Sequence, residues 1–127
     1  MTKSWPEIIE RYRKYAGDWR SIHALQSLAR RINETPLAGG LFAWTSMFDL
    51  CIVQTAVSYP YEGPFLRLSP ASRDQVQFRY EDTHVDARQW HRTVDADDVM
   101  PRLLEFLDQL RWFPAAALES LGGNKLG

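Results

Sequence analysis

The densest group of ionisable side chains in the sequence lies between Tyr80 and His91. It includes Asp82, His84 and Asp86. Carboxylate and imidazole groups are common ligands of divalent metals. On a turn between two strands the first three side chains can converge, and His91 on the following strand can complete the set. One alternative is therefore an enzyme or a metal- or small-ligand-binding domain with its site near residues 82–91.

The preferred interpretation of the same segment is a polar turn in water, because acidic residues are common between two strands for that reason alone. We therefore favour no metal and no other cofactor. A third interpretation is a contact surface, in which the turn acts together with an aromatic loop earlier in the chain. The candidate partner-binding residues are Tyr59, Tyr61, Glu81, Asp82, Asp86 and Trp90.

Other catalytic patterns are missing from the sequence. Its serines lack a G-x-S-x-G context, and its glycine pairs do not form a phosphate-binding loop. Of the three histidines, His23 follows Ile22 near the start of a predicted helix, where a packing or surface role is expected. We therefore expect a protein without enzymatic activity.

Charge and composition restrict the partners. The net charge is −1, with 7 basic and 4 acidic side chains in residues 1–40 (+3) and 8 and 12 in residues 41–127 (−4). Basic and aromatic residues alternate at positions 11–15, but an amphipathic helix accounts for that pattern. The balanced charge does not indicate a nucleic-acid surface, which needs basic charge gathered on one side.

The apolar run at residues 41–57 is too short and too often interrupted by polar residues to cross a membrane, so we expect no membrane partner. It is typical of a core strand covered on both faces. Cys51 is the single cysteine, which excludes a disulfide within the chain and indicates a buried, unreactive thiol. The N-terminus has no apolar stretch of the secretory kind, which favours a cytoplasmic location.

Helical periodicity dominates residues 1–36. Ser4, Pro6 and Glu7 have the types and spacing of a helix N-terminus with a capping box. Gly17 either separates two helices or kinks one, and Asp18 is a candidate cap for the second. These helices provide cover for the sheet that follows.

Extended patterns fill residues 41–93. Residues 41–55 form either a tight hairpin turning near 46–49 or one long bent strand, and further strands are predicted at 65–69, 76–80 and 88–93, the last at an edge. Between them, two prolines and a glycine indicate a loop at 59–64, where the Tyr59-Pro60 bond is a candidate for the cis form.

The C-terminal helix is predicted at residues 97–113, capped by Asp95 or Asp97. One further helical turn is expected at 115–121 within a tail of residues 114–127, whose last five residues should be loose. The short connections between strands predict an antiparallel sheet of four or five strands in an α+β fold. One domain of residues 1–127 is expected.

Together these features favour a non-enzymatic protein-binding module that contacts either another protein or a second copy of itself. Small bacterial immunity and adaptor proteins have this size and this helix–sheet–helix order, an analogy of element order that rests on no shared motif.

Overall fold

The computed structural model describes residues 1–82 and 84–122, and its architecture is the predicted α+β fold with an antiparallel sheet. None of the helices among these residues has the length and apolar character needed to cross a membrane. The helices and strands are, in chain order, α1 Trp5–Tyr15, α2 Arg20–Asn33, β1 Phe42–Ser46, β2 Asp49–Val53, β3 Phe65–Pro70, β4 Gln75–Glu81, β5 Trp90–Asp95, α3 Val99–Gln109 and α4 Ala115–Gly122.

The two N-terminal helices begin differently. Ser4 caps α1 as predicted, because its Oγ accepts a hydrogen bond from the Glu7 amide at 3.3 Å. A break at Gly17, where φ is 56°, confirms two helices in place of one kinked helix. The predicted cap at Asp18 is wrong: α2 begins after Trp19 and has no side-chain cap. Asp18 instead pairs with Arg73 at 3.5 Å.

All five strands lie in one sheet in the order β1-β2-β3-β4-β5, and every neighbouring pair is antiparallel. β1 and β2 form the tight hairpin, so the alternative of one long bent strand is wrong. Ser46 is opposite Asp49, which leaves only Met47 and Phe48 in the turn. The Tyr59-Pro60 bond is cis, and β5 lies at an edge, as predicted.

One face of the sheet carries the hydrophobic core. Leu50 and Ile52 of β2 point to this face and are fully buried, as are Leu68 and Phe78 on the next two strands. Side chains from α1, α2 and α3 belong to the same buried cluster, so these three helices form a single layer on that face.

The opposite face, called here the open face, has no helix on it in the described chain. Cys51 points to this face and is nevertheless fully buried, which confirms that β2 is covered on both sides. The cover on this side comes from aromatic rings, with Trp44 5.3 Å from Phe65 and 6.2 Å from Tyr61 between centroids. The helices therefore cover one face of β2 as expected, and aromatic side chains of the sheet and its loop cover the other.

The helix predicted at 97–113 is shorter, because α3 starts at Val99 and ends at Gln109. Asp98, not Asp95 or Asp97, occupies the cap position of α3, and its side chain makes no capping hydrogen bond. A short 3-10 turn at Ala96–Asp98 precedes the helix. The further helix predicted at 115–121 is confirmed as α4, and its Leu118 is buried in the core. The predicted loose end at 123–127 lies outside the described residues.

Candidate functional site

Asp82, the first of the predicted site residues, is used by its own turn. Its side chain is buried, and Oδ1 accepts hydrogen bonds from the amides of His84 at 3.0 Å and Val85 at 3.2 Å. The Asp82 amide donates to Gln89 Oε1 at 3.0 Å. Because the carboxylate satisfies backbone groups, its role here is to shape the connection between β4 and β5.

The four candidate metal ligands do not form a cluster. His84 and Asp86 are exposed on the turn, and His91 projects from β5 on the open face. Among the residues that the structure describes, no group of three or more His, Cys, Asp or Glu side chains is placed to hold an ion. The Asp82 carboxylate bonds back to its own turn, so the turn does not direct it toward the other three.

A small cleft of about 200 Å³ lies on this part of the sheet and is lined by Arg79, Tyr80, Glu81, Gln89, Trp90 and His91. Glu81 lies 3.9 Å from an Arg79 nitrogen. Trp90 turns toward the helices, with its ring 4.9 Å from that of Phe106. The cleft brings a carboxylate and an imidazole together with no serine, threonine or cysteine that could serve as a nucleophile.

The two predicted loop tyrosines have different environments. Tyr59 is 85% exposed, the largest exposure of any bulky apolar side chain in the described residues. Tyr61 instead packs against Trp44 and Phe65, and its hydroxyl donates to the Pro64 carbonyl at 2.8 Å. This burial raises the Tyr61 pKa. Tyr61 is therefore part of the cover of the open face, and Tyr59 alone is free to contact a partner.

A second surface, not predicted from the sequence, lies at the tip of the β1–β2 hairpin. Met47 is 77% exposed, Phe48 38% and Tyr15 52%. The Tyr15 and Phe48 rings meet edge to face with centroids 6.2 Å apart, which joins the end of α1 to the hairpin turn. We call these three residues the tip patch.

Hydrogen bonds from α1 hold the tip patch in place. The Tyr12 hydroxyl donates to the Phe48 carbonyl at 2.9 Å, and Arg11 Nη2 donates to the Met47 carbonyl at 3.0 Å. Tyr12 is almost fully buried, and this burial raises its pKa. The Arg11 guanidinium also lies 5.4 Å above the Tyr15 ring. The turn is thus anchored on both of its residues, and their apolar side chains are held outward.

The backbone at the turn is unfavourable for the residue that occupies it. Met47 has φ of 57°. In two-residue hairpin turns this left-handed position is normally glycine or asparagine, since a larger side chain there is strained. The sequence places a large, exposed, apolar side chain where both local conformation and contact with water favour a small or polar one.

The tip patch was missed because its two hairpin residues stand inside the most apolar run of the sequence, residues 41–57, which indicates core. The available signal was the hairpin alternative itself: a turn near 46–49 requires Met47 and Phe48 to leave the core.

Comparison with known proteins adds no assignment: no family model, curated protein or solved structure gives a significant match.

Proposed function

We propose that this protein is a non-enzymatic protein-binding module whose partner covers the tip patch. The observation that carries the proposal is Met47, which combines 77% exposure with a left-handed backbone conformation. Local departures from the rules of stability concentrate at functional sites, because selection for binding retains what selection for stability removes. An exposed methionine and two aromatic rings are also typical anchors of protein interfaces.

The geometry of the patch favours a macromolecular partner. Small-molecule sites are concave and enclose most of the ligand surface. The tip patch instead projects at the end of a two-residue hairpin, where a partner must supply the surrounding walls. A protein with an apolar recess can enclose Met47 and Phe48, and Tyr15 extends the contact along α1.

Charge around the patch defines the partner further. Arg11 and Lys14 lie on α1 beside Tyr15, in a groove that Glu7 and Glu10 also line, and the Glu10 carboxylate pairs with Arg13. Positive charge at the rim of an apolar contact favours carboxylates on the other side. The expected partner surface is therefore an apolar recess with acidic residues at its edge. Such a role fits an immunity or adaptor protein acting in the cytoplasm.

The test begins by finding the partner and ends with purified components. A photo-crosslinking amino acid at position 47 captures neighbours in the cell that encodes the protein, and the captured protein is then expressed alone. Titration calorimetry measures its affinity for the wild type and for Met47→Gly and Tyr15→Ser. We expect each substitution to raise Kd by about tenfold or more, the effect of removing an interface hot spot.

Tyr59→Ser is the matched control, since it removes an aromatic side chain that is even more exposed, at 85%, and lies outside the patch. Its affinity should equal that of the wild type. The proposal is wrong if Met47→Gly and Tyr15→Ser bind the purified partner as well as the wild type does, or if Tyr59→Ser weakens binding as strongly as they do.

A further inference from the structure

The outer edge of β5 is open for pairing with another strand. β5 is the last strand of the sheet, and its His91, Arg92 and Thr93 are exposed. The other edge of the sheet is partly occupied, because the Lys3 amide donates to the Ala43 carbonyl of β1 at 2.8 Å. Unpaired backbone groups along an exposed edge strand are a template for a further strand.

The hydrogen bonds of the sheet show which groups face outward. The Ala96 amide donates to the Asp74 carbonyl on the β4 side at 2.8 Å. Backbone groups alternate in direction along a strand, so those of residues 94, 92 and 90 also face β4. The amides and carbonyls of His91, Thr93 and Asp95 therefore face away from the sheet.

We propose that a second copy of this chain pairs here, β5 against β5 in antiparallel orientation, with Thr93 opposite the Thr93 of the other copy. In this register the three outward-facing residues of one copy, His91, Thr93 and Asp95, lie opposite Asp95, Thr93 and His91 of the other. Each opposed pair can exchange two backbone hydrogen bonds, about six in all. The two sheets then form one continuous sheet about a two-fold axis, which is the commonest symmetry of oligomers.

The side chains select the same register. It places His91 opposite the Asp95 of the other copy, once on each side of the axis, and it places the two Thr93 side chains together. An imidazole N–H can donate to a carboxylate across a sheet, and threonine pairs directly across a sheet are favourable. Shifting one β5 by two residues against the other in one direction places the two Arg92 side chains opposite each other, which is unfavourable. Shifting it in the other direction places His91 beyond the end of the other copy's β5 at Asp95.

Two existing contacts have to adjust. Arg92 Nη1 donates to the His91 carbonyl at 2.7 Å and must release it, which needs only rotation of an exposed side chain. Arg20 lies 3.6 Å from Asp95, but it is closer to Asp97 at 2.7 Å and to Asp74 at 3.1 Å. Asp95 therefore has only the longest of three contacts with Arg20 and can accept His91.

The first test is the mass of the purified protein by sedimentation equilibrium, from about 1 µM to about 1 mM, a range that covers weak and moderate affinities. Thr93→Pro removes the outward amide at the two-fold axis. Since that amide is not bonded to β4, proline is tolerated there and the monomer should keep its circular dichroism spectrum. We expect dimers for the wild type and a Kd raised about tenfold or more for Thr93→Pro.

Thr45→Pro is the control, because the amide of Thr45 also faces away from the sheet, on the half-buried edge strand β1, and this variant should dimerise like the wild type. A second pair of variants tests the register without proline. His91→Asp and Asp95→Lys should each weaken self-association. An equimolar mixture of the two should restore it, because the two substituted residues then face each other with opposite charges and the second pair is again His91 opposite Asp95.

The proposal is overturned by a wild type that stays monomeric throughout this range. It is also overturned by a dimer that Thr93→Pro and the two charge variants leave unchanged. The inference is independent of the tip patch, which lies at the other edge of the sheet, so either result leaves the proposed partner site unaffected.

Discussion

Replacing Met47 by glycine should leave the free energy of unfolding nearly unchanged, although it deletes a large apolar side chain. A non-glycine residue in the left-handed region is strained by about 1–2 kcal/mol. Glycine removes this strain but has more freedom in the unfolded chain, which costs about 0.5–1 kcal/mol. Since the side chain is 77% exposed, losing its remaining burial costs about 0.5 kcal/mol more.

The net change for Met47→Gly is therefore between a loss of about 0.5 and a gain of about 1 kcal/mol. Leu50→Ala provides the contrast within the same hairpin, because Leu50 is fully buried and its truncation should cost about 2–5 kcal/mol. Leu50→Ala is thus expected to destabilise the protein clearly, whereas Met47→Gly, close by in the sequence, is not.

Urea denaturation followed by tryptophan fluorescence measures both variants, with the five tryptophans as probes. The slope m should be the same for all three proteins, so that a shift in the midpoint reports stability. A decrease of more than about 1.5 kcal/mol in the free energy of unfolding for Met47→Gly is the size expected when a buried large apolar side chain is removed. It would show that Met47 packs on the domain, and the argument for an outward-facing contact residue would fail.

Three further substitutions test other contacts by the same denaturation assay. Arg111 has φ of 60° at the end of α3, so Arg111→Gly should stabilise by up to about 1 kcal/mol, and a clear loss would contradict the strain argument. Arg67 Nε donates to Asp49 Oδ2 at 2.7 Å, and both side chains are largely shielded from water. Asp49→Ala should therefore lower the free energy of unfolding by about 1.5–3 kcal/mol, and no change would show that the pair does not stabilise the fold. Tyr12→Phe leaves the Phe48 carbonyl without its donor and should cost about 1 kcal/mol, whereas an unchanged midpoint would mean that water replaces the hydroxyl.

Much of the architecture follows from periodicity and turn chemistry. The capping residues around Ser4 predict the start of α1, and strict alternation at residues 76–80 predicts β4. These signals are local, and each agrees with the burial that the fold imposes. Element order and the antiparallel sheet follow from them, because short connections leave adjacent strands no other arrangement.

The failures arise where long-range contacts compete for a side chain. Asp18 and Asp97 have the right type for helix caps, but Arg73 and Arg20 hold their carboxylates. Such pairings depend on elements far apart in the chain and leave no local pattern. The four candidate metal ligands stay apart for a local reason, because the Asp82 side chain is buried against its own turn, and composition cannot distinguish that from an exposed acidic surface.

Cys51 is a natural probe of local opening in the sheet. Its thiol lies on the open face between Trp44 and Arg67 of the neighbouring strands, fully shielded, and this burial raises its pKa to about 12. A thiol reagent can therefore react only during moments when a neighbouring strand or ring moves away. Comparing the labelling rate with that of the unfolded chain yields the free energy of local opening. Because this is the only cysteine, the signal is unambiguous without engineering the chain.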